Sequence, residues 1–132
     1  MNQNDIAYIA GLFDGEGSVM CKQYMRKKKG EKKAYKTWNI RCEIAMTEKE
    51  VIEWLHETLG FGWSKEKTGK RPKHYKRQWR WQCSHRDALT FAKLVWPYTQ
   101  IKLHQIERII DHYEPYLQEL GDNIVELDTY RK

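Results

Sequence analysis

One stretch of the chain alternates strictly between apolar and polar residues. In Thr37–Met46, TWNIRCEIAM, one face carries Trp38, Ile40, Cys42, Ile44 and Met46, and the other carries Thr37, Asn39, Arg41, Glu43 and Ala45. A period of two with one apolar face predicts a strand that is buried on one side and solvated on the other. Ser18–Arg26, SVMCKQYMR, alternates in the same way but more weakly. The charged KKKGEKKAYK between these runs reads as the tip of a hairpin. A second hairpin is expected from FGWSKEK and YKRQWRWQC around the loop TGKRPKH. It sets Trp79, Trp81 and Cys83 on one face and Gln78, Arg80 and Gln82 on the other.

The intervening segments follow a helical period. Asn4 or Asp5 is placed to cap a first helix running to about Asp14. Thr47, with Glu50 three residues on, forms a capping-box sequence for a second. Its apolar stripe is Val51, Leu55 and Leu59, with Trp54 beside it, and Gly60 stops it. Ser84 opens a third helix to about Trp96, where Pro97 breaks it. A fourth runs from about Gln100 to Tyr113 on the stripe Ile101, Ile106, Ile109, Ile110 and Tyr113, with one further turn expected after Pro115. The order α-β-β-α-β-β-α-α predicts an α+β fold, with helices on one face of a twisted antiparallel sheet. The length of 132 residues argues for a single domain over 1–132, and no tandem repeat or low-complexity linker divides it.

Composition narrows the class. With 40% hydrophobic and 13% aromatic residues a real core is possible, and the composition argues against wholesale disorder. Cys21, Cys42 and Cys83 are odd in number and widely spaced. They read as small core residues with reduced thiols rather than a disulfide framework or zinc knuckle. The first residues form no basic leader before an apolar run, and no apolar stretch approaches a membrane span. The expected setting is intracellular (cytoplasm, nucleoid or organelle matrix), with no membrane partner.

Charge changes the picture further. The net charge is +6, and fifteen of the 24 Lys and Arg residues fall within 26–36 and 65–80, in or beside the two hairpins. The stretch 111–128 carries six acids and no Lys or Arg. A basic sheet side set against an acidic helical side is the footprint of a nucleic-acid binder, whereas solvated hairpin tips are the plainer alternative. The polar strand faces hold Lys22, Tyr24, Arg26, Asn39, Arg41, Lys65, Lys67, Gln78, Arg80 and Gln82, types that read base edges or hold phosphates. The five histidines have no metal-ligand spacing. Most tryptophans fall on apolar faces, with Trp63, near a strand start, as the exception.

The first helix is unusual. In IAYIAGLFDGEGS, Ala7, Gly11 and Gly15 stand four apart, a stripe of small residues that lets a second backbone approach closely. The chain has one copy of it, so a two-fold homodimer is the simplest way to pair it. Asp14 and Glu16 close the helix, and a two-fold axis would bring four carboxylates together. Such crowding calls for cations, and oxygen-only ligands suit a hard divalent ion such as Mg²⁺. The other reading is a helix that simply ends on a Gly-rich turn with Asp14 as a local cap. On spacing alone both stay open.

IAGLFDGEG, Ile9–Gly17, resembles the signature of the LAGLIDADG homing endonucleases over all nine positions, and the element order is similar to that family's fold. A single copy of the motif resembles the homodimeric branch. The resemblance implies a sequence-specific, divalent-metal-dependent endonuclease that uses Mg²⁺ or Mn²⁺ to cleave double-stranded DNA as a homodimer. Glu16 falls on the acid that binds the metal, and Gly15 on the position whose carbonyl joins the metal shell. Asp14 falls on a structural position in the turn. Ser18 begins the DNA-facing strand, and Met20, Lys22, Tyr24 and Arg26 match its groove-facing positions. PYTQIKLHQ, Pro97–Gln105, is similar to the segment before the last core helix, which implies a catalytic role for Lys102. Glu48 falls where a polar residue completes the solvent network, beside Thr47. The family's basic residue early in the second helix has no counterpart, since Val51 and Ile52 stand there. Two rival readings share the fold: a DNA-binding transcription regulator without catalysis, and an RNA maturase.

Overall fold

A computed structural model describes residues 1–30, 32–68 and 76–114. The elements run α1 (Gln3–Glu16), β1 (Gly17–Arg26), β2 (Tyr35–Met46), α2 (Lys49–Leu59), β3 (Trp63–Glu66), β4 (Trp79–Ser84), α3 (Arg86–Val95) and α4 (Leu103–Tyr113). This is the expected α+β order. The turn foreseen after Pro115, the acidic stretch beyond 114 and most of the TGKRPKH loop lie outside the described residues.

The four strands form one antiparallel sheet in the order β1-β2-β4-β3. Ile40, Cys42, Ile44, Trp81 and Cys83 project from its inner face and are buried beneath the helices. Ile9, Ala10 and Phe13 of α1, Ile52 and Leu55 of α2, Phe91 and Val95 of α3, and Ile106 and Ile109 of α4 complete that core. Phe13 and Trp81 both pack on Phe91, with ring centroids 5.0 Å apart in each pair. The cysteines are buried and unpaired, as expected of small core residues. Trp38 leaves the pattern: it stays 36% exposed, with its ring tilted against His112 of α4 at 4.4 Å.

Several boundaries differ from the sequence reading. Asn2, not Asn4 or Asp5, caps α1, its Oδ1 accepting from the Asp5 amide at 2.8 Å. The capping box of α2 does not form, because the helix starts two residues beyond Thr47, whose hydroxyl donates to Glu48 Oε2 at 2.7 Å instead. The buried stripe is Ile52, Leu55 and Leu59, with Val51 only partly covered, so Ile52 rather than Val51 faces the core. Gly60 ends α2 at φ 78°, the left-handed stop the sequence predicts. Arg86 rather than Ser84 begins α3. Helix α4 begins at Leu103 rather than Gln100, which leaves Ile101 75% exposed.

Candidate functional site

Helix α1 passes into β1 with no intervening loop: Glu16 is the last helical residue and Gly17 the first of the strand. The handover needs glycine, since a Cβ on Gly17 would lie 2.3 Å from the Phe13 ring and 2.5 Å from the Phe13 carbonyl oxygen. Glu16 is therefore held at a fixed joint, yet its side chain is exposed. Gly15 sits in the last turn, where helix carbonyls lack an intrahelical partner. Register puts other candidates at the same end of the sheet. Gly17 begins β1 opposite Ile44 near the end of β2, and Met46 at that end pairs with Trp79. Glu48 follows two residues beyond Met46 and is exposed.

Asp14 ties this end to a distant part of the chain. Its Oδ1 accepts from the buried Thr99 hydroxyl and from the Lys102 amide at 3.2 Å, and its Oδ2 accepts from the Gln100 amide at 2.8 Å. Burial pushes the Asp14 carboxyl up, but the hydrogen bonds from Thr99, Gln100, Lys102 and Ile101 outweigh it and hold the group below its usual value. The segment before α4 is thus wrapped around one carboxylate, which brings Lys102 to the C-terminal end of α1. The motif reading gives Asp14 a structural part in the turn. Its actual partners lie 85 to 88 residues away, and no sequence pattern singles out Thr99 among them.

The outer face of the sheet carries the polar candidates. Ser18, Lys22, Tyr24, Arg26, Lys65 and Lys67 are exposed, and Asn39, Arg41, Gln78 and Arg80 are half-buried. Met20 is enclosed by two of them, its sulfur accepting from Asn39 Nδ2 at 2.9 Å and Arg41 Nη2 at 3.7 Å. Gln82 differs from its expected exposure: it is 7% exposed, between Glu43 and Trp63 on the neighbouring strands. Trp63 is 37% exposed on the outer face, so it is not a core residue. The residues foreseen for dimer contact, Ala7, Gly11 and Gly15, all lie on an open face of α1. A Cβ at Gly11 or Gly15 would meet nothing within 4 Å. Among the described residues no three His, Cys, Asp or Glu side chains converge as a metal site. No described helix is long and apolar enough to cross a membrane.

No protein-family model matches the sequence, and no curated protein matches it either. Solved structures do. The homing endonuclease I-CvuI, crystallised with a DNA target in the presence of Mg, superposes with a TM-score of 0.62 over 80% of this chain at 18% identity. The present chain covers 62% of that protein's length. The group I intron-encoded homing endonuclease I-CeuI, complexed with DNA, gives 0.59 over 98% of this chain and 61% of its own, at 15% identity. The LAGLIDADG homing endonuclease I-SmaMI, bound to cleaved DNA, gives 0.55 over 96% of this chain and 42% of its own, at 15% identity. With one helix layer beneath an antiparallel β1-β2-β4-β3 sheet and the IAGLFDGEG stretch at the α1–β1 joint, the chain has the LAGLIDADG homing-endonuclease fold.

Proposed function

We propose that this protein is a sequence-specific, divalent-metal-dependent DNA endonuclease that acts as a homodimer. The observation that carries the reading is the Asp14 clamp, which brings the Lys102 segment to the helix end that presents Glu16. Two copies of α1 meeting along Ala7, Gly11 and Gly15 bring two such ends together under a continuous basic sheet surface. Solvated hairpin lysines explain the charge but not why a half-open helix face lacks side chains at two positions.

The donor set suits a hard cation. One chain offers the exposed Glu16 carboxylate and the Gly15 carbonyl, which would hold the ion together with the same groups of a second copy. A bound Mg²⁺ or Mn²⁺ supplies Lewis acidity and lowers the pKa of water. Around it the residues of this chain have separate tasks. The hairpin lysines and arginines hold phosphates and fix register, and the outer strand side chains select sequence. Glu16 would hold the metal where the helix end meets bound DNA. The Lys102 ammonium stabilises the charge that develops on the phosphate and the leaving oxygen. Glu48, beside the Thr47 hydroxyl, orders solvent near the same end of the sheet.

The test is cleavage of plasmids carrying candidate target DNA, including the host locus, with wild type and Glu16→Gln. Wild type cuts with Mg²⁺ and stops with a chelator. Glu16→Gln retains DNA binding and loses cleavage by at least about 100-fold, the scale of a lost transition-state stabiliser. Equal cutting by the two proteins refutes the assignment of Glu16. Tight binding with no cleavage at any site favours a non-catalytic DNA-binding protein.

A further inference from the structure

On the outer face of the sheet, one cationic side chain is held on both flanks before any ligand arrives. Arg80 on β4 donates from Nη1 to Glu43 Oε1 on β2 at 3.3 Å. Its guanidinium also lies over the Trp63 ring of β3, 5.2 Å from the centroid, and Lys65 Nζ lies 5.3 Å from the same ring. The Arg80 and Glu43 side chains are 25% and 17% exposed, so this is no frayed surface pair. Arg80 Nε is buried and has no hydrogen-bond partner among the described residues. With Nε covered and part of Nη1 committed, the open donors are those along the Nη edge.

Arginine has five donors in a planar fork and stacks on aromatic faces, so a guanidinium pinned by a ring and a carboxylate has little rotamer freedom left to lose on binding. A fork held by its face and by one Nη1 bond, with its remaining Nη donors aimed in one direction, matches the O6 and N7 acceptors of guanine in a major groove, whereas a mobile phosphate contact needs no such hold. An acid inside a basic face works against phosphate attraction, and positioning Arg80 accounts for Glu43 there. We infer that Arg80 reads a guanine in each half of the DNA site, with Glu43 and Trp63 as positioning residues that fix its fork. This rests on the DNA-binding reading above and goes beyond it by naming a base and the side chains that set it.

The experiment is selection of bound duplexes from a randomised double-stranded DNA library, by wild type, Arg80→Lys, Glu43→Gln and Trp63→Leu. Circular dichroism melting of each variant confirms that it is folded. The wild-type consensus contains a guanine in each half whose preference falls on the order of 10- to 100-fold in Arg80→Lys, since lysine keeps the charge and loses the fork. Glu43→Gln and Trp63→Leu weaken preference at that same position, while the remaining consensus positions keep theirs. A merely structural Glu43–Arg80 pair would lower melting without moving one base position. An unchanged consensus in Arg80→Lys overturns the inference and leaves the DNA-binding reading standing. Wild type that selects no sequence overturns both.

Discussion

Asp14 shows how much one carboxylate can organise. It accepts from the Thr99 hydroxyl and from the backbone amides of Gln100, Ile101 and Lys102, in a segment that is otherwise irregular. Asn at this position removes the charge and turns one oxygen into a donor facing donors. Asp14→Asn is expected to cost about 2–3 kcal/mol in urea unfolding at neutral pH. The sign with pH follows from the lowered carboxyl. Its contribution is full above the ordinary value of 3.8 and is lost as pH falls through the lower folded value. The stability gap between wild type and Asp14→Asn is therefore constant near neutrality and narrows below about pH 4, as unfolding titrations across that range will show. A gap that does not narrow contradicts the charged-state account. The residue scale is also where sequence reading has least to offer. Glu16 stands out in the sequence because it ends a recognisable stretch, whereas the Thr99 hydroxyl carries no local signature and bonds a partner 85 residues away.

The elements are legible where periodicity decides them and misplaced where local chemistry competes. Alternation in β2 identifies Ile40, Cys42 and Ile44 as core, and all three are fully buried. Thr47 and Glu50 have the spacing of a capping box, but Thr47 bonds its neighbour Glu48 and the helix begins later. Ile101 fits a helical stripe, but the Asp14 hydrogen bonds with Gln100 and Lys102 hold that turn out of the helix. Gln82 reads as solvated because strand alternation does not reveal how large a neighbour is, and Trp63 pairs beside it. Helix α1 carries a prediction of its own. Glycine inside a helix is less stable than alanine by about 1 kcal/mol, and nothing among the described residues requires it at Gly11. Gly11→Ala is expected to leave the isolated chain equally or more stable while weakening self-association, read by sedimentation over a concentration series. Gly17→Ala, which collides with Phe13, is expected to destabilise the chain itself by about 1–3 kcal/mol. Undiminished association of Gly11→Ala would sink the close-packed helix pair.

At the scale of the whole molecule, one face is polar and basic and the other is buried under helices. Duplex affinity should fall steeply with salt, with a log–log slope of about −0.9 for each phosphate neutralised. Replacing Lys27, Lys28 and Lys29 by Gln is expected to flatten that slope by about 0.9 for each phosphate these lysines neutralise, as binding titrations between low and moderate salt will measure. A slope unchanged by the triple replacement would remove the first hairpin from the phosphate interface. The Asp14 clamp has one further consequence, in the order of synthesis. Every candidate for gripping DNA lies between residues 18 and 82, and all of these leave the ribosome before Thr99 and Lys102. A chain cut short ahead of residue 99 lacks both the partners of Asp14 and α4, whose Ile106 and Ile109 close the core. Under the proposed function, the same last stretch of synthesis that completes the core also delivers Lys102 to Glu16, so folding and arming of the site come together.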